Sequence, residues 1–248
     1  MHRKSGAKSG KTGRLNSINP SDYAQIIFFT GAGMLAESGI PTYRGAEGMW
    51  KKYNFEEYAC EEAFQRDSEK VFEFHTIRRK KIGLCKPHTG HEIISGIQKK
   101  HISVSIITQN IDGLHQKSGS ENVIELHGSL WRLRCIEEDI VLEASGENNE
   151  SYSCRCGAKL RPDIIWFGDA LNMKIVENAF DLSRQADLFI GIGTSGEVWP
   201  AAEIPYYAKE NGSRMIEINP EKSMASHLYD DHIRKPSSKA LLDLFGYS

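Results

Sequence analysis

The segment Ala24-Gln25-Ile26-Ile27-Phe28-Phe29-Thr30 runs straight into Gly31-Ala32-Gly33, and this junction constrains the fold more than any other stretch of the chain. Its β-branched and aromatic residues form an apolar run of the kind found inside parallel sheets. A strand that ends in a glycine turn and then a helix is the opening unit of a dinucleotide-binding fold. Further apolar strands read at Val104 to Thr108, Leu188 to Gly193 and Met215 to Asn219, each ending at a polar or glycine-rich segment. Helical periodicity fills the gaps at Ser68 to Lys81, His88 to Lys99 and Ile175 to Arg184. This alternation predicts an α/β fold, a doubly wound parallel sheet with its ligand at the strands' carboxyl ends.

Two stretches break the alternation. Residues 45 to about 90 are helical, and residues 132 to about 161 are polar, bear cysteines and are interrupted by Gly146-Glu147-Asn148-Asn149. Together they are expected to form a second, smaller domain closing a cleft over the sheet. The expected boundaries are a flexible basic tail over 1–20 and a catalytic domain over 21–248. The sheet part takes about 21–45, 91–131 and 162–248, and the small domain about 46–90 and 132–161. The tail carries Arg3, Lys4, Lys8, Lys11 and Arg14 with no acidic residue before Asp22. Its Gly6-Ala7-Lys8-Ser9-Gly10-Lys11-Thr12 is one residue short of a phosphate-binding P-loop and follows no strand, so that reading is rejected.

A net charge of −2 gives no general attraction for nucleic acid or anionic membrane, and neither is expected as a partner. No apolar run reaches bilayer length, and the N-terminus does not resemble a signal peptide, so a soluble, cytoplasmic protein is expected, as a monomer. Five cysteines, an odd number, argue against a disulfide framework. Cys135, Cys154 and Cys156 are near enough in sequence to raise metal binding instead.

Three constellations carry chemistry. At Gly31-Ala32-Gly33 missing side chains let backbone N–H groups approach a diphosphate, though a plain tight turn reads the same way. The continuation Glu37-Ser38-Gly39-Ile40-Pro41-Thr42-Tyr43-Arg44-Gly45 adds a cation, Arg44, shortly after the turn. Thr108-Gln109-Asn110-Ile111-Asp112 sets polar side chains at a strand's carboxyl end, where amides and a carboxylate can read a carboxamide and ribose hydroxyls. The plainer reading is a polar turn with Asp112 capping a helix. In Glu125-Leu126-His127-Gly128-Ser129 the histidine has a free pKa near neutrality, so it can take a proton from a hydroxyl and return it.

Taken with Leu160-Arg161-Pro162-Asp163, Gly193-Thr194-Ser195 and Ile218-Asn219-Pro220, these motifs resemble a sirtuin in family order from about residue 24 to 245. The resemblance implies a Rossmann-type NAD domain with a small helical and zinc-ribbon domain. It implies an NAD-dependent protein-lysine deacylase that releases nicotinamide, O-acyl-ADP-ribose and free lysine. Carried over by position, His127 is the base, Asn110 and Asp112 hold the nicotinamide ribose region, and Gln109 contacts a ribose. Gly31, Ala32, Gly33, Tyr43, Arg44, Ile111, Gly193, Thr194, Ser195 and Asn219 fall at NAD-binding positions, and Phe167 and Gly168 at acyl-lysine positions.

The chain departs from the family pattern in several places. Leu35 stands where a small hydroxylic residue is usual, Tyr43 where Phe is, and Ile233-Arg234-Lys235-Pro236 where a glycine is common. The zinc ribbon is degraded. A structural zinc site wants two Cys-x-x-Cys pairs. Here Cys135 faces Glu138 as its partner, Ser153 precedes Cys156, and Cys154 is displaced into a Cys-x-Cys step of poor geometry. The expectation is a metal-free ribbon packed around Trp131, Leu133 and Leu160, with three thiolates plus Glu138 as the alternative zinc set. Acyl choice turns on His75 and Arg78, three apart on one helix face. Sirtuins that remove acidic acyl groups carry Tyr and Arg at these positions, so succinyl- or malonyl-lysine is expected to be accepted. The competing reading is a solvated basic face continued by Arg79, Lys80 and Lys81.

Rival functions use the same residues. An NAD glycohydrolase or ADP-ribosyltransferase would work in the same cleft and release nicotinamide without acyl-peptide. An idle NAD-binding module would not need both His127 and Asn110. A dehydrogenase would want a third glycine where Met34-Leu35-Ala36 follow the turn.

Overall fold

The computed structural model describes residues 17–42, 48, 53–101, 103–138, 140–144 and 152–246. The expectations for the tail over 1–16, for Tyr43 and Arg44, and for Gly146 to Asn149 lie outside the described residues. From the glycine junction the chain runs β1 (Ile26–Thr30), a 3-10 helix (Ala32–Ser38), α1 (Phe55–Tyr58), α2 (Glu61–Arg66), α3 (Ser68–Gly83) and α4 (Thr89–Lys100). It continues through β2 (Val104–Thr108), α5 (Leu114–Lys117), β3 (Val123–Glu125), β4 (Gly128–Cys135), β5 (Val141–Glu143) and β6 (Leu160–Ile164). The last third holds α6 (Met173–Arg184), β7 (Leu188–Ile192), α7 (Ile204–Glu210), β8 (Arg214–Ile218), β9 (Asp231–Ile233) and α8 (Ser237–Phe245).

Six strands form one sheet in the order β3-β2-β1-β7-β8-β9, every pairing parallel. Connections run outward in both directions from β1, so the gap between β1 and β7 is a topological switch point, where open sheets bind ligands. Burial on both faces explains the unbroken apolar strands. On one face α4 and α8 pack Ile93, Ile94, Ile97, Leu241 and Leu244 against Phe28 and Ile106. On the other, α6 and α7 set Val176, Phe180, Ile204 and Ala208 against Phe29 and Phe189. Each fully buried Phe or Ile of this sheet contributes about 1.5–3 kcal/mol.

A second core belongs to the small domain. The antiparallel sheet β5-β4-β6 and helices α1 to α3 bury Phe64, Phe72, Leu133, Leu160 and Trp166 together. The two stretches that broke the sequence alternation therefore share one core, and Trp131 packs against it.

The helix expected after the glycine turn is a 3-10 helix, not an α-helix. The reason is local: the Gly33 N–H donates outward to the Gly193 carbonyl at 2.9 Å, and Met34 N–H bonds Gly31 O at 3.0 Å, so the turn tightens against β7. Among the described residues no helix is long and apolar enough to cross a membrane.

Candidate active site

A cleft opens where β1 and β7 end side by side, with Thr30 paired to Ile192. A Cβ on Gly31 would lie 2.7 Å from the Gly193 carbonyl oxygen, and one on Gly33 would lie 2.6 Å from Gly193 Cα. Gly193 itself turns with φ +61°. Only glycine permits this approach, so packing alone accounts for the turn's composition. The amides tell more. Gly31 N–H donates to Ile192 O and Gly33 N–H to Gly193 O, both at 2.9 Å, so these two are not available to a diphosphate. Ala32 lines the cleft, and among the described residues no protein carbonyl accepts its N–H. The amide cradle expected from the sequence narrows to Ala32.

The cleft encloses about 1140 Å³ and gathers Gly31, Ala32, Gly33, Gln109, Asn110, Ile111, His127, Gly193, Thr194, Ser195 and Asn219. Arg78 of α3 and the Phe167-Gly168 segment after β6 line it too. Among the described residues, two of those expected do not border it. Asp112 is buried at 5% exposure beneath the wall, and His75 is fully buried behind Trp166.

His127 sits on the bend between β3 and β4. Its Nδ1–H donates to the Gln109 carbonyl at 2.9 Å, which leaves the lone pair on Nε2. Burial lowers its pKa below the ordinary histidine value, and the carbonyl pulls only partly the other way. The ring is therefore neutral at neutral pH. Asn110 is held from two sides: its N–H donates to Thr108 Oγ1 at 3.1 Å, and its Nδ2 donates to Gly31 O at 2.9 Å.

Asp112 lies at the start of α5. Oδ1 accepts the Leu114 N–H at 2.8 Å at the first residue of α5, whose N-cap is Gly113, while buried Oδ2 has no partner among the described residues. Burial raises this carboxyl to about 6, because a charge there is poorly solvated. An unpaired buried carboxylate oxygen fits a ligand N–H such as a carboxamide donor.

The opposite wall is braced by Arg161. Its guanidinium, 5% exposed, bonds Glu61 at 2.7 Å and Asp169 at 2.6 Å and lies 3.5 Å from the Trp166 ring. Phe167 N–H donates to Ala59 O at 3.0 Å, and the Phe167 ring meets Phe55 at 4.4 Å. These contacts fix the segment that carries Phe167 and Gly168. His75 Nε2 lies 3.1 Å from Tyr58 O, and burial holds this ring well below the ordinary histidine pKa, neutral and behind the wall. It is not a cleft residue; Arg78 is.

Sequence reasoning missed Trp166, Trp199 and Met224, which also line the cleft. Trp199, a large aromatic just past Gly193-Thr194-Ser195, was the available signal. It also left Arg234 without a task. That side chain donates to Asn219 O at 3.1 Å and Glu221 O at 3.0 Å and pairs with buried Glu217 at 2.7 Å, so it fixes the turn under Asn219. Asn219 Nδ2 in turn donates to Thr194 O at 2.9 Å.

In the small domain, the donor atoms of Cys135, Glu138, Cys154 and Cys156 all lie within 4.8 Å of one another. The short Cys-x-Cys step was expected to spoil this geometry. It does not, because the Cys154 N–H donates to Ala158 O, and Gly157 with φ +88° turns the chain so that Cys156 Sγ comes within 3.6 Å of Cys135 Sγ. Three thiols and a carboxylate are a donor set that suits zinc.

Residues 31–200 match the model of the Sir2 family. The NAD-dependent protein deacylase of Aquifex aeolicus is 41% identical over 232 residues, covering 90% of this chain and 94% of the relative. The NAD-dependent protein deacylase of Pyrococcus furiosus is 44% identical over 226 residues, covering 88% and 90%. A Sir2 homologue solved in complex with NAD is 33% identical over 95% of this chain and 96% of its own, with a TM-score of 0.85. With its glycine turn, His127 and second sheet placed as described, this chain belongs to the Sir2 family.

Proposed function

We propose that the chain is an NAD-dependent protein-lysine deacylase, with acyl-lysine proteins or peptides as substrates. The observation that carries this is the pairing of a neutral, carbonyl-anchored His127 with Asn110 and the Gly31–Gly193 contact around one cleft. The residues fit NAD: the Ala32 amide on the cleft, whose N–H no carbonyl among the described residues accepts, and beneath the wall the Asp112 Oδ2, which has no partner among the described residues. Bound NAD supplies the ribose that takes the acyl group as nicotinamide leaves, and it is consumed.

The chain's own residues do the rest. Ala32, with Ser195 and Asn219, holds the dinucleotide across the carboxyl ends of the central strands. Asn110 and Asp112 orient the nicotinamide end, and Gln109, whose carbonyl fixes His127, adds a ribose contact. His127 Nε2 takes the proton of a ribose hydroxyl and returns it later, a task for an imidazole that is unprotonated at neutral pH. Phe167 and Gly168 carry the acyl-lysine from the small-domain side. We assign that small domain to about 46–90 and 132–161, with the remainder of 21–248 forming the NAD part, and propose a cytoplasmic setting. Cys135, Cys154, Cys156 and Glu138 would hold a structural zinc that braces the ribbon, at a distance from the chemistry.

The reading is tested by mass spectrometry of acetyl-, succinyl- and longer acyl-lysine peptides incubated with enzyme and NAD. His127→Ala is expected to lose about 100-fold or more, the usual worth of a positioned base. Nicotinamide release at the same rate without peptide would overturn the reading in favour of an NAD glycohydrolase.

Acidic acyl groups are a finer proposal, supported by Arg78 lining the cleft. His75 does not reach the cleft, so Arg78 alone would meet an acyl carboxylate. Arg78→Met is expected to remove about 10-fold or more of succinyl-lysine activity and spare acetyl-lysine. Succinyl activity that starts below acetyl activity and ignores Arg78→Met would refute it.

A further inference from the structure

Behind the cleft wall three histidines stand in a row between α4, α5 and the glycine turn. His88 accepts the Gly90 N–H at Nδ1 (2.9 Å) and donates from Nε2 to Met34 O (2.7 Å). Its ring centroid is 4.3 Å from that of His91, which is 4.9 Å from that of His115. His91 and His115 are buried, and His91 Nε2 and His115 Nδ1 have no partner among the described residues. An imidazole with one nitrogen unpaired is a costly thing to bury, and a hydrocarbon ring of similar size would pack at less cost. Something other than packing must favour nitrogen here.

His115 Nε2 supplies the reason. It lies 3.1 Å from Thr30 Oγ1, the side chain at the end of β1. Thr30 Oγ1 donates to Thr108 Oγ1 at 2.8 Å, so it accepts from the Nε2–H of His115. Thr108 Oγ1 also accepts the Asn110 N–H at 3.1 Å, and Asn110 Nδ2 donates to Gly31 O at 2.9 Å. Both threonines are buried, at 0% and 3% exposure, so water cannot take the place of either hydroxyl. Hydrogen bonds thus run from a buried histidine through two hydroxyls to Asn110 and Gly31, both of which line the cleft.

We infer that His115 is a positioning residue, setting Asn110 and Gly31 through the hydroxyls of Thr30 and Thr108. It touches no substrate, and its proposed role rests on the NAD reading above. A phenyl ring at the position would fill the space and leave Thr30 without its donor. Loss of NAD affinity without loss of stability is the signature that separates this role from simple packing.

The test compares wild type with Thr30→Val, Thr30→Ser and His115→Phe, using NAD affinity by calorimetry, KM for NAD and for acyl-peptide, and Tm. Thr30→Val and His115→Phe are expected to weaken NAD binding about tenfold and to leave acyl-peptide KM within about twofold. His115→Phe should melt at or above wild type, and Thr30→Ser should bind NAD as wild type does. NAD binding unchanged in both Thr30→Val and His115→Phe would overturn the inference. So would Thr30→Ser as weak as Thr30→Val, or KM values for NAD and peptide that rise together. A wild type that binds no NAD would instead sink the reading beneath it.

Discussion

His127 is subject to two opposed effects: burial disfavours the imidazolium, and the Gln109 carbonyl favours it. Burial prevails, so the ring stays neutral further into acid than a free histidine. Asp112 moves the other way, to about 6, so its negative charge fades over the same acid range. The acid limb of kcat/KM for NAD is therefore expected below pH 6.5, with a plateau from there to neutrality. A pH–rate profile checks this, and a limb at or above pH 7 would show that residue 127 is not the titrating base. Four polar residues at the end of β2 were legible as a site from sequence. Which of them face the cleft was not, because that is set by the turn at Gly113, φ +74°, where a Cβ would meet Trp131 at 2.9 Å. Trp131 comes from a different strand and donates to the Asp112 carbonyl at 2.6 Å, a contact that spacing cannot foretell.

Elements with strong apolar runs were legible nearly to the residue, as for β2 (Val104–Thr108) and α3, whose start at Ser68 is set by the Asp67 cap on the Lys70 N–H. Short or partly exposed elements were not. β9 spans only Asp231–Ile233 and has no core of its own, yet it closes the sheet edge beside Arg234. α8, which the sequence reading did not include, buries Ala240, Leu241, Leu244 and Phe245, and its N-terminus is fixed from far away in sequence by Glu37, which accepts the Ser238 N–H at 2.9 Å. The ribbon is the case where spacing misled. A two-residue Cys-x-Cys step looked too short, but the left-handed Gly157 folds the second arm back, and Cys154 Sγ reaches Glu138 at 3.5 Å. Protein purified without chelator is therefore expected to carry about one zinc per chain, and chelation should lower its Tm through the ribbon rather than the sheet. Metal-free protein whose Tm ignores chelator would show that packing around Leu133 and Leu160 suffices.

Over the whole molecule, the buried histidines set how stability responds to acid. Burial pushes His91 down to about 2 and His115 to about 3, and lowers His75 and His127 as well. Above pH 6.5 these rings are neutral both folded and unfolded and exert no pH dependence. Below it the unfolded chain takes up protons that the folded chain cannot hold, so stability falls with pH, by about 1.4 kcal/mol per unit for each ring. Asp112 acts with the opposite sign. The folded carboxyl gains its proton near 6, before the unfolded one at the ordinary value of 3.8, and so returns about as much as one ring removes over that interval. For His91, His115 and Asp112 together the net loss reaches about 3 kcal/mol by pH 4.5, a large part of the ~5–15 kcal/mol that holds a typical domain. Glu37, Glu217 and Asp230, whose pKa values are lowered by hydrogen bonds and ion pairs that outweigh their burial, add to the loss only below their ordinary carboxyl range. Urea midpoints should hold steady from pH 8 to 6.5, decline to 4.5 and then drop more steeply. In His115→Phe the decline between 6.5 and 4.5 should be shallower by about 1.4 kcal/mol per unit, since one proton fewer separates the two states. A variant whose slope matches wild type would mean that His115 is protonated in the folded chain, and an Nδ1 that finds no protein acceptor has nothing to hold that proton.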